Sequence, residues 1–566
     1  MCGIAGIVGE RPSPESLQRM VAAQQHRGPD YTGTYLDEGI TLGHNRLAII
    51  DLTSAARQPF ASTDGRYVLV FNGEIYNYLE LRKELKAHYA FQTNSDTEVL
   101  LAAYLHWGKQ CLPKLNGMFA FAIWDTKMKS LFSARDRFGV KPFYYVEKNK
   151  HIYFASEIKT LFASGINRTP DEKVWANYFT YGSYGMPDET FWEAIKQVPA
   201  GHVLTYENNK LKVSKWYDFE KEISSQPKIT SFEEALERYE TLLKDSIALR
   251  FRSDVPVGFN VSGGLDSSTL LAFVKYTLKG SNSNAYTFYT DDARYDEVSY
   301  VEEMMATSEF PLHKVLLKAD AVAQLSSRMA DFQDEPYGGI PTLAYAEIFK
   351  VARQQGVKVL LDGQGMDEQW AGYDYYTKTG NSTIQGIRKS PFRPAVLKKE
   401  LSDIAKPPAY PTPFNNRVQN LQYRDLYYTK IPRALRFNDR VSMAASTELR
   451  EPFLDYRMVE FAFSLPLAYK IRKGQQKFLL RELVGTYLSD SIRYAPKRPL
   501  QTPQREWLGN DLEGWVAAHI ESLKGHPWFD SKMLEREWET YRNGNQESSF
   551  HIWQWVNTSL LLKDSH

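Results

Sequence analysis

Cys2 lies in the run "MCGIAGI", among glycine and small aliphatic residues. Removal of Met1 would leave Cys2 with a free α-amine on the carbon that carries its thiol. The pKa of such an amine is about 8, so the amine can act as the general base for the thiol. Cys2 could instead be a small buried side chain that only fills space, or a lipid attachment point. Lipid attachment would need an upstream signal segment, which we do not expect here.

The segment "FNGEIYN" supplies two donors for an oxyanion. The Asn72 amide and the Gly73 backbone N–H can point at one spot, as a tetrahedral oxyanion requires. The same Asn-Gly pair is also a strong hairpin-turn signal. Arg46 offers a fork for a carboxylate, or it forms a surface ion pair. Glu74 and Asp96 can hold an ammonium, although Asp96 could instead cap a helix.

A glycine-rich segment, "VSGGLDSS", follows an apolar run and precedes a helical pattern. Glycines let the backbone approach phosphate oxygens closely, and the N-terminus of the following helix favours anions. The segment lacks the Gly-Lys-Ser/Thr of a Walker loop, and an ordinary strand-to-helix connection is the other interpretation. The candidate phosphate-binding residues are Val261, Ser262, Gly263, Gly264, Asp266 and Ser267.

An acidic cluster, "DGQGMDEQWAGY", follows the apolar run "VKVLL". Ligands of parallel sheets bind at the carboxyl ends of strands, so this cluster and the glycine-rich segment should share one crevice. Asp266 and Asp367 together could hold Mg²⁺, a cation that takes carboxylates and phosphate oxygens. A solvated acidic turn is the alternative.

The elements that must position these residues differ between the two parts of the chain. Over the first 160 or so residues, short alternating runs separated by turn-rich stretches predict antiparallel sheet, with helices over 79–87 and 97–105. From about Ser231, helices and strands alternate, which predicts a parallel sheet flanked by helices. We expect strands at "PVGFNV" and "AYTFY" and a helix from Ser268. The polar stretch 206–228 is the predicted junction.

Length and composition limit the class of protein. A chain of 566 residues is expected to form at least two domains. The 69 basic and 68 acidic residues nearly cancel, and no long run of either sign occurs, so we expect neither a nucleic-acid nor a membrane partner. No apolar run approaches the roughly 18 residues of a spanning helix. With only two cysteines, the protein fits a reducing compartment, and we expect it in the cytoplasm.

The first part of the chain resembles the glutaminase domain of the asparagine synthetase B family, a class II amidotransferase with an α+β N-terminal-nucleophile (αββα) fold. By this resemblance Cys2 is the nucleophile, Asn72 and Gly73 form the oxyanion hole, and glutamine is bound by Arg46, Asn72, Gly73, Glu74 and Asp96. The set is coherent because glutamine needs a nucleophile, an oxyanion hole and clamps for its carboxylate and ammonium. The resemblance is collinear and rests on "MCGIAGI", "QHRGPD", "GHNRLAIIDL", "FNGEIYN", "SDTEVLL", "LNGMFAFAIWD", "RDRFGVKPFYY" and "ASEIKTL".

The second part resembles the α/β synthetase domain of the same family. The spelling Ser-Gly-Gly-x-Asp-Ser is similar to the pyrophosphate loop of ATP pyrophosphatases, which implies adenylation by ATP and Mg²⁺ with AMP and pyrophosphate as products. Lys497, in "PKRPLQTPQREWL", is implied to stabilise charge in the adenylation transition state, although an exposed lysine is the commoner fate of this residue type. The segments that carry the resemblance include "YDEVSYVEE", "DEPYGGIPTLAYAEIFK" and "DRVSMAASTELREPFLDYRMVEFAFSLP".

This sequence departs from the family's pattern in the acceptor loop. Many members have Ser-Gly-Glu-Gly-Ser-Asp-Glu, whereas this chain has Gln364 in place of the first glutamate and begins the loop with Asp362. A neutral amide cannot attract an ammonium or take a proton as a carboxylate can. Glu451 also replaces a common valine, and Arg-Pro-Leu follows Lys497 where Gly-Phe is frequent. Asp362, Gln364 and Glu368 are the expected acceptor-binding residues, and the acceptor's identity is the open point.

The expected activity is glutamine-dependent asparagine synthesis, with domains at 1–210 and 231–566 joined by a linker at 211–230. Glutamine would be hydrolysed at Cys2, L-aspartate adenylated by ATP, and the acyl-adenylate aminated by ammonia travelling inside the protein. One rival is the same chemistry on another carboxylate, such as a uronic acid or diaminopimelate. The other is a catalytically idle paralogue that senses nitrogen or acts as a scaffold. A homodimer is possible.

Overall fold

The computed structural model describes residues 2–277, 283–306, 308–378, 390–497, 501–544 and 548–562. The first part of the chain forms two antiparallel sheets. Its strands are β1 Cys2–Val8, β2 Tyr31–Asp37, β3 Ile40–Arg46, β4 Phe60–Ala61, β5 Tyr67–Ile75, β6 Gly117–Asp125, β7 Ser130–Arg135, β8 Tyr144–Lys148, β9 His151–Ala155, β10 Lys196–Gln197, β11 His202–Glu207 and β12 Lys210–Lys215. Its helices are α1 Pro14–Ala23, α2 Tyr78–Leu85, α3 Asp96–Trp107, α4 Ile158–Ala163, α5 Glu172–Tyr181 and α6 Phe219–Ser225.

The two sheets pack face to face because their strands alternate between two apolar surfaces. One sheet has the order β10-β8-β9-β1-β3-β2 and the other β12-β11-β7-β6-β5-β4. In β1, Ile4 and Val8 pack between the sheets, whereas Ile7 packs on the side that carries α1. In β5, Val70 faces the first sheet and Phe71 faces α2 and α3. Successive side chains of a strand point to opposite faces, so the result is a helix–sheet–sheet–helix arrangement.

The second part of the chain contains a parallel sheet between layers of helices. Its strands are β13 Val257–Asn260, β14 Ala285–Tyr289, β15 Leu312–Leu316, β16 Val359–Leu361 and β17 Glu448–Arg450, with a small ladder of β18 Ile471–Arg472 and β19 Gln475–Gln476. Its helices are α7 Phe232–Arg250, α8 Leu265–Thr277, α9 Val298–Met305, α10 Ala319–Gln333, α11 Gly339–Gln354, α12 Met366–Gln369, α13 Lys399–Ser402, α14 Arg417–Tyr427, α15 Lys430–Ala444, α16 Tyr456–Ser464, α17 Leu467–Lys470, α18 Phe478–Leu483, α19 Asp490–Arg493, α20 Gln504–Gly509, α21 Glu513–Lys524, α22 Ser531–Arg542 and α23 Phe550–Leu561.

The parallel sheet has the order β15-β14-β13-β16-β17, and both of its faces are covered. Phe259 and Leu361 pack on one face with α7 and α8, and Leu360 packs on the other with α10 and α11. The strand predicted at "AYTFY" is β14. The helix predicted from Ser268 begins three residues earlier, because its first turn closes on the Gly264 carbonyl. None of the helices in the described ranges is long and apolar enough to cross a membrane.

The junction between the two parts is more ordered than a linker. The strand β12 pairs with β11 and so extends the second antiparallel sheet to Lys215. Helix α6 follows, and Phe219 and Ile223 on this helix pack with aromatic residues of α14 and α16. The segment 211–230 therefore contributes both to the first part's sheet and to an apolar cluster of the second part.

A buried network of charges joins the two parts at β1, the strand that begins with Cys2. The Arg27 guanidinium lies 2.8 Å from both Glu157 and Asp439, and its Nε donates to the Cys2 carbonyl at 3.0 Å. Asp439 comes from α15 of the second part, and Arg440 lies 3.2 Å from it. Removing one partner from a buried ion pair leaves an uncompensated charge, which typically costs about 3–5 kcal/mol.

We therefore expect Arg27→Leu to lower the stability of the protein by about 3–5 kcal/mol, because Glu157 and Asp439 would lose the cation that lies closest to both of them. The matched control is Arg542→Leu, which breaks an exposed pair with Glu513 and should cost at most about 1 kcal/mol. The midpoint of urea unfolding, followed by tryptophan fluorescence, measures both. Equal midpoints for the two variants would show that the network does not hold the parts together.

Candidate active sites

The nucleophile candidate Cys2 begins β1, a strand in the interior of the first sheet. It pairs in register with Arg46 of β3, and its backbone N lies 3.1 Å from Asn72 Oδ1. Burial raises the pKa of the Cys2 thiol. A thiol with a raised pKa needs a base to become a nucleophile. The position of the backbone N against Asn72 is where a free α-amine would be held.

Asn72 and Gly73 lie inside β5 and not in a turn, so the hairpin alternative is wrong. Gly73 has a φ of +156°, and a Cβ added there would lie 2.1 Å from the Met118 carbonyl oxygen of the paired strand β6. Only glycine fits this close approach. The Asn72 Oδ1 faces Cys2, and its Nδ2 lies 3.5 Å from Ser156 Oγ. The oxyanion role of Asn72 and Gly73 stays a prediction.

Arg46 is buried and is not part of a surface ion pair. Its guanidinium donates to the carbonyl oxygens of Thr53, at 2.8 Å, and Asp51. These two bonds fix the plane of the guanidinium at the wall of a pocket of about 340 Å³, which Cys2 also lines. A guanidinium held by backbone carbonyls keeps its positive charge available for a carboxylate ligand.

Two buried carboxylates line the same pocket. Ser95, not Asp96, caps α3, since its Oγ accepts from the Glu98 N–H. Asp96 accepts from the Ile75 N–H at 2.9 Å, and burial raises the pKa of Asp96 to about 6. Burial also raises the pKa of Glu74, whose Oε1 lies 3.6 Å from Arg450. The pocket thus places one cation, two carboxylates and a thiol together, which suits a ligand with carboxylate and ammonium groups.

The glycine-rich segment lies between β13 and α8, at the carboxyl end of the parallel sheet. Ser267 Oγ donates to the Ser262 carbonyl at 2.6 Å, and the Gly263 N–H donates to Glu297 at 3.1 Å. Val261, Ser262 and Ser267 line a pocket of about 500 Å³. Asp362 lines it too, which confirms that the two loops share one crevice. Gly264 begins the first turn of α8.

Asp266 and Asp367 converge on one cation, Lys477. The Lys477 Nζ lies 2.6 Å from a carboxylate oxygen of each aspartate, and Lys497 contacts Asp367. Two carboxylates that meet at one point fit a divalent cation. Among the described residues no group of three or more carboxylate, imidazole or thiol side chains is arranged to hold a metal ion, so phosphate oxygens and water would complete a Mg²⁺ shell.

The expected acceptor residues face different neighbours. Asp362 is buried at the pocket beside the glycine-rich segment, and its Oδ1 accepts from the Gly363 N–H at 2.9 Å. Gln364 is half-buried. Glu368 accepts from the Tyr373 hydroxyl at 2.7 Å, and burial raises the pKa of Glu368 to about 7. In the described structure no hydrogen bond or ion pair joins Asp362 to Glu368, so the loop offers two separate acidic positions.

Two buried cations at these sites carry no signal in the sequence. Lys477 is a lone lysine in "GQQKFLL", and only its position beside Asp266 and Asp367 identifies it. Arg450 belongs to β17 of the second part, yet it lies at Glu74 of the first pocket. Spacing along the chain cannot reveal either contact, because both join elements that are far apart in sequence.

Comparison with known proteins agrees with this two-site arrangement. The glutamine amidotransferase domain family matches residues 1–217, and the asparagine synthase family matches residues 238–563. An N-terminal-nucleophile amidotransferase domain followed by a parallel-sheet synthetase domain defines a glutamine-dependent ligase, and the predicted fold class is confirmed. The chain belongs to the asparagine synthase family.

Two similar proteins are asparagine synthetases (glutamine-hydrolyzing) 3 and 1 of Bacillus subtilis (strain 168). Each is 30% identical to this chain, over 98% of the chain and 95% of the relative. Amidase chry2 of Gibberella zeae is 26% identical over 93% of both chains. The family therefore includes proteins whose names specify asparagine and at least one that is named an amidase.

We expect the Michaelis constant for glutamine to rise as the pH falls through about 6, because Asp96 must be ionised to hold an ammonium. Above its pKa the carboxylate is charged, and below it the proton removes the attraction. Asp96→Asn keeps the acceptor for the Ile75 N–H but should raise that constant roughly 10- to 100-fold, with little pH dependence near 6.

The Michaelis constant for glutamine is measured from the rate of glutamate release in the absence of a carboxylate acceptor. Asp125→Asn, which alters the partly exposed pair with Arg66, is the control and should keep the wild-type profile. A wild-type profile in Asp96→Asn would remove Asp96 from the glutamine site.

Proposed function

We propose that the protein is a glutamine-hydrolysing asparagine synthetase. The observation that carries the proposal is the presence, in one chain, of two buried pockets with complementary chemistry. One holds the Cys2 thiol with Arg46, Glu74 and Asp96. The other lies at the glycine-rich loop, with acidic and lysine side chains beside it. Glutamine hydrolysis in the first supplies ammonia that an activated carboxylate in the second can accept.

In the first pocket the Cys2 thiol would attack the amide carbon of glutamine. After removal of Met1 the α-amine of Cys2 takes the thiol proton, and Asn72 and the Gly73 N–H stabilise the oxyanion. The C–N bond breaks, ammonia leaves, and water hydrolyses the thioester to glutamate. Arg46 binds the carboxylate of glutamine, and Glu74 with Asp96 binds its ammonium.

In the second pocket the side-chain carboxylate of L-aspartate would attack the α-phosphorus of ATP. Pyrophosphate leaves, and the glycine-rich segment 261–267 would hold it. Lys497, with Lys477 beside it, neutralises the charge that develops on the phosphates. Asp266 and Asp367 would hold Mg²⁺, which would neutralise part of the charge of the phosphates. Ammonia from the first pocket then converts the acyl-adenylate to asparagine and AMP.

A second candidate is the same reaction on another carboxylate, such as a uronic acid or diaminopimelate. Gln364 favours it, because the neutral amide removes one partner for the α-ammonium of aspartate. Asp362 and Glu368 remain as acidic partners for that ammonium, so L-aspartate stays our first choice. The domain division at 1–210 and 231–566, a cytoplasmic location where ATP and glutamine are available, the absence of a nucleic-acid partner and a homodimer are further parts of this proposal.

We expect Cys2→Ala to abolish glutamate release and glutamine-dependent amide formation, because the nucleophile is gone. Amide formation from ammonium chloride should persist near the wild-type rate, since the second pocket is separate. Cys111→Ala, which removes the chain's other buried cysteine, is the matched control and should keep both activities. Equal loss of both activities in folded Cys2→Ala would contradict the two-site account.

The acceptor is identified by incubating the protein with ATP, Mg²⁺ and glutamine, and with aspartate, a uronic acid or diaminopimelate in turn. Pyrophosphate release and the mass of the product are measured. We expect aspartate to give asparagine with one pyrophosphate per amide, and Gln364→Glu to improve the affinity for aspartate roughly 10-fold or more. An amide on another acceptor and none on aspartate would overturn the asparagine assignment.

A further inference from the structure

Glu451 follows β17 directly and lies beside Asp362. The parallel strands β16 and β17 pair with Leu361 opposite Arg450, and the Asp362 N–H donates to the Arg450 carbonyl at 3.0 Å. Glu451 and Asp362 are therefore the next residues of two neighbouring strands, at the carboxyl edge of the sheet. Glu451 is only 3% exposed, so its carboxyl group has little access to bulk water.

The carboxyl group of Glu451 lacks a well-formed hydrogen bond, and the Gln364 backbone N–H is the donor that comes near it. Neither of its oxygens meets a donor with normal geometry among the described residues. Burial raises the pKa of Glu451, and the Asp362 carboxylate raises it further, whereas Lys141, the Gln364 backbone N–H and Arg250 lower it. The buried Lys141 ammonium donates to the Leu449 carbonyl and forms no ion pair with Glu451 within 4 Å. A carboxylate kept only for stability would be expected to have a direct partner.

Glu451 also lines the space between the two parts of the protein. A small cavity is bordered by Tyr76 and Met118 of the first part and by Glu451 and Leu454 of the second. Tyr76 follows β5, the strand that carries Gly73 and Glu74 of the glutamine pocket. Asp362, on the other side of Glu451, lines the nucleotide pocket. Glu451 thus stands between the interdomain cavity and the acceptor loop.

We propose that Glu451 is the proton acceptor when ammonia attacks the activated carboxylate. This inference rests on the proposed two-site function. The nitrogen lone pair forms a bond to the acyl carbon, one N–H proton passes to a Glu451 oxygen, and the bond from the acyl carbon to the phosphate oxygen breaks. AMP leaves with that electron pair, and the amide remains. Gln364 cannot take this proton, because an amide oxygen is a very weak base.

Asp362 is less suited to this role, since it lines the nucleotide pocket while Glu451 lines the cavity on the side from which ammonia would come. The assignment of Glu451 as proton acceptor also accounts for two departures of this sequence from the family's pattern. The loop lacks a carboxylate at Gln364, and β17 is followed by a carboxylate that faces the same loop. A positioned general base typically contributes 10²- to 10⁴-fold to a rate.

The test separates adenylation from amide formation in Glu451→Gln. Carboxylate-dependent exchange of labelled pyrophosphate into ATP reports adenylation, and amide formation from saturating ammonium chloride reports the attack. We expect exchange within about twofold of wild type and a loss of amide formation on the order of 100-fold or more. Adding Gln364→Glu to this variant should restore amide formation at least 10-fold, because it returns a base to the acceptor loop.

Glu460→Gln is the matched control, since Glu460 is also a buried glutamate but is hydrogen-bonded to Tyr217 and Gln226. It should keep both activities. Unchanged amide formation in Glu451→Gln would overturn the proposal, and so would an equal fall of exchange and amide formation, which would make Glu451 an acceptor-binding residue. If the wild-type protein exchanges pyrophosphate with another carboxylate and not with aspartate, only the asparagine assignment is refuted. The wild-type protein and Glu451→Gln would then be compared with that carboxylate.

Discussion

The edge strand β17 of the parallel sheet is the constraint on which both sites depend. An open edge of a sheet exposes unpaired backbone groups, and here the amidotransferase domain covers it. The Lys141 ammonium of that domain donates to the Leu449 carbonyl at 3.4 Å. Arg450 pairs with Glu448 at 2.5 Å and donates to the carbonyls of Arg250 and Arg252 at 2.7 Å. The Lys141 contact joins the edge strand to the amidotransferase domain, whereas the Arg450 contacts fix the strand within its own domain.

The contact between the amidotransferase domain and β17 also brings residues of the two sites close to each other. Arg450 lies 3.6 Å from Glu74 of the Cys2 pocket, while the next residue, Glu451, lies beside Asp362 and Gln364. Two neighbouring residues, the last of β17 and the one that follows it, therefore contact one site each. A displacement of β17 would change the electrostatic environment of Glu74 and the position of Glu451 at the same time. Under the proposed function, the interface that covers the sheet edge would also couple the two half-reactions.

Local sequence predicted the elements and the residues within one loop, but not contacts across the interface. Strand β14 and the strand that carries Asn72 and Gly73 follow from alternating apolar patterns. The Asn-Gly pair alone would have indicated a turn, and only its place between apolar runs argued against one. Lys477 could not be found, because its partners lie on other elements. The segment 211–230 has polar composition, yet β12 and α6 within it gain their order from packing against both domains.

The central claim is that nitrogen passes inside the protein from the Cys2 pocket to the acceptor loop. Glutamine labelled with ¹⁵N at its amide, supplied together with ATP, Mg²⁺, aspartate and an excess of unlabelled ammonium chloride, tests it most directly. Mass spectrometry of the product gives the labelled fraction. The account predicts that most of the new amide carries ¹⁵N, well above its share of the total ammonia. A labelled fraction equal to that of the bulk solution would contradict it, because the ammonia would then have left the protein before reacting.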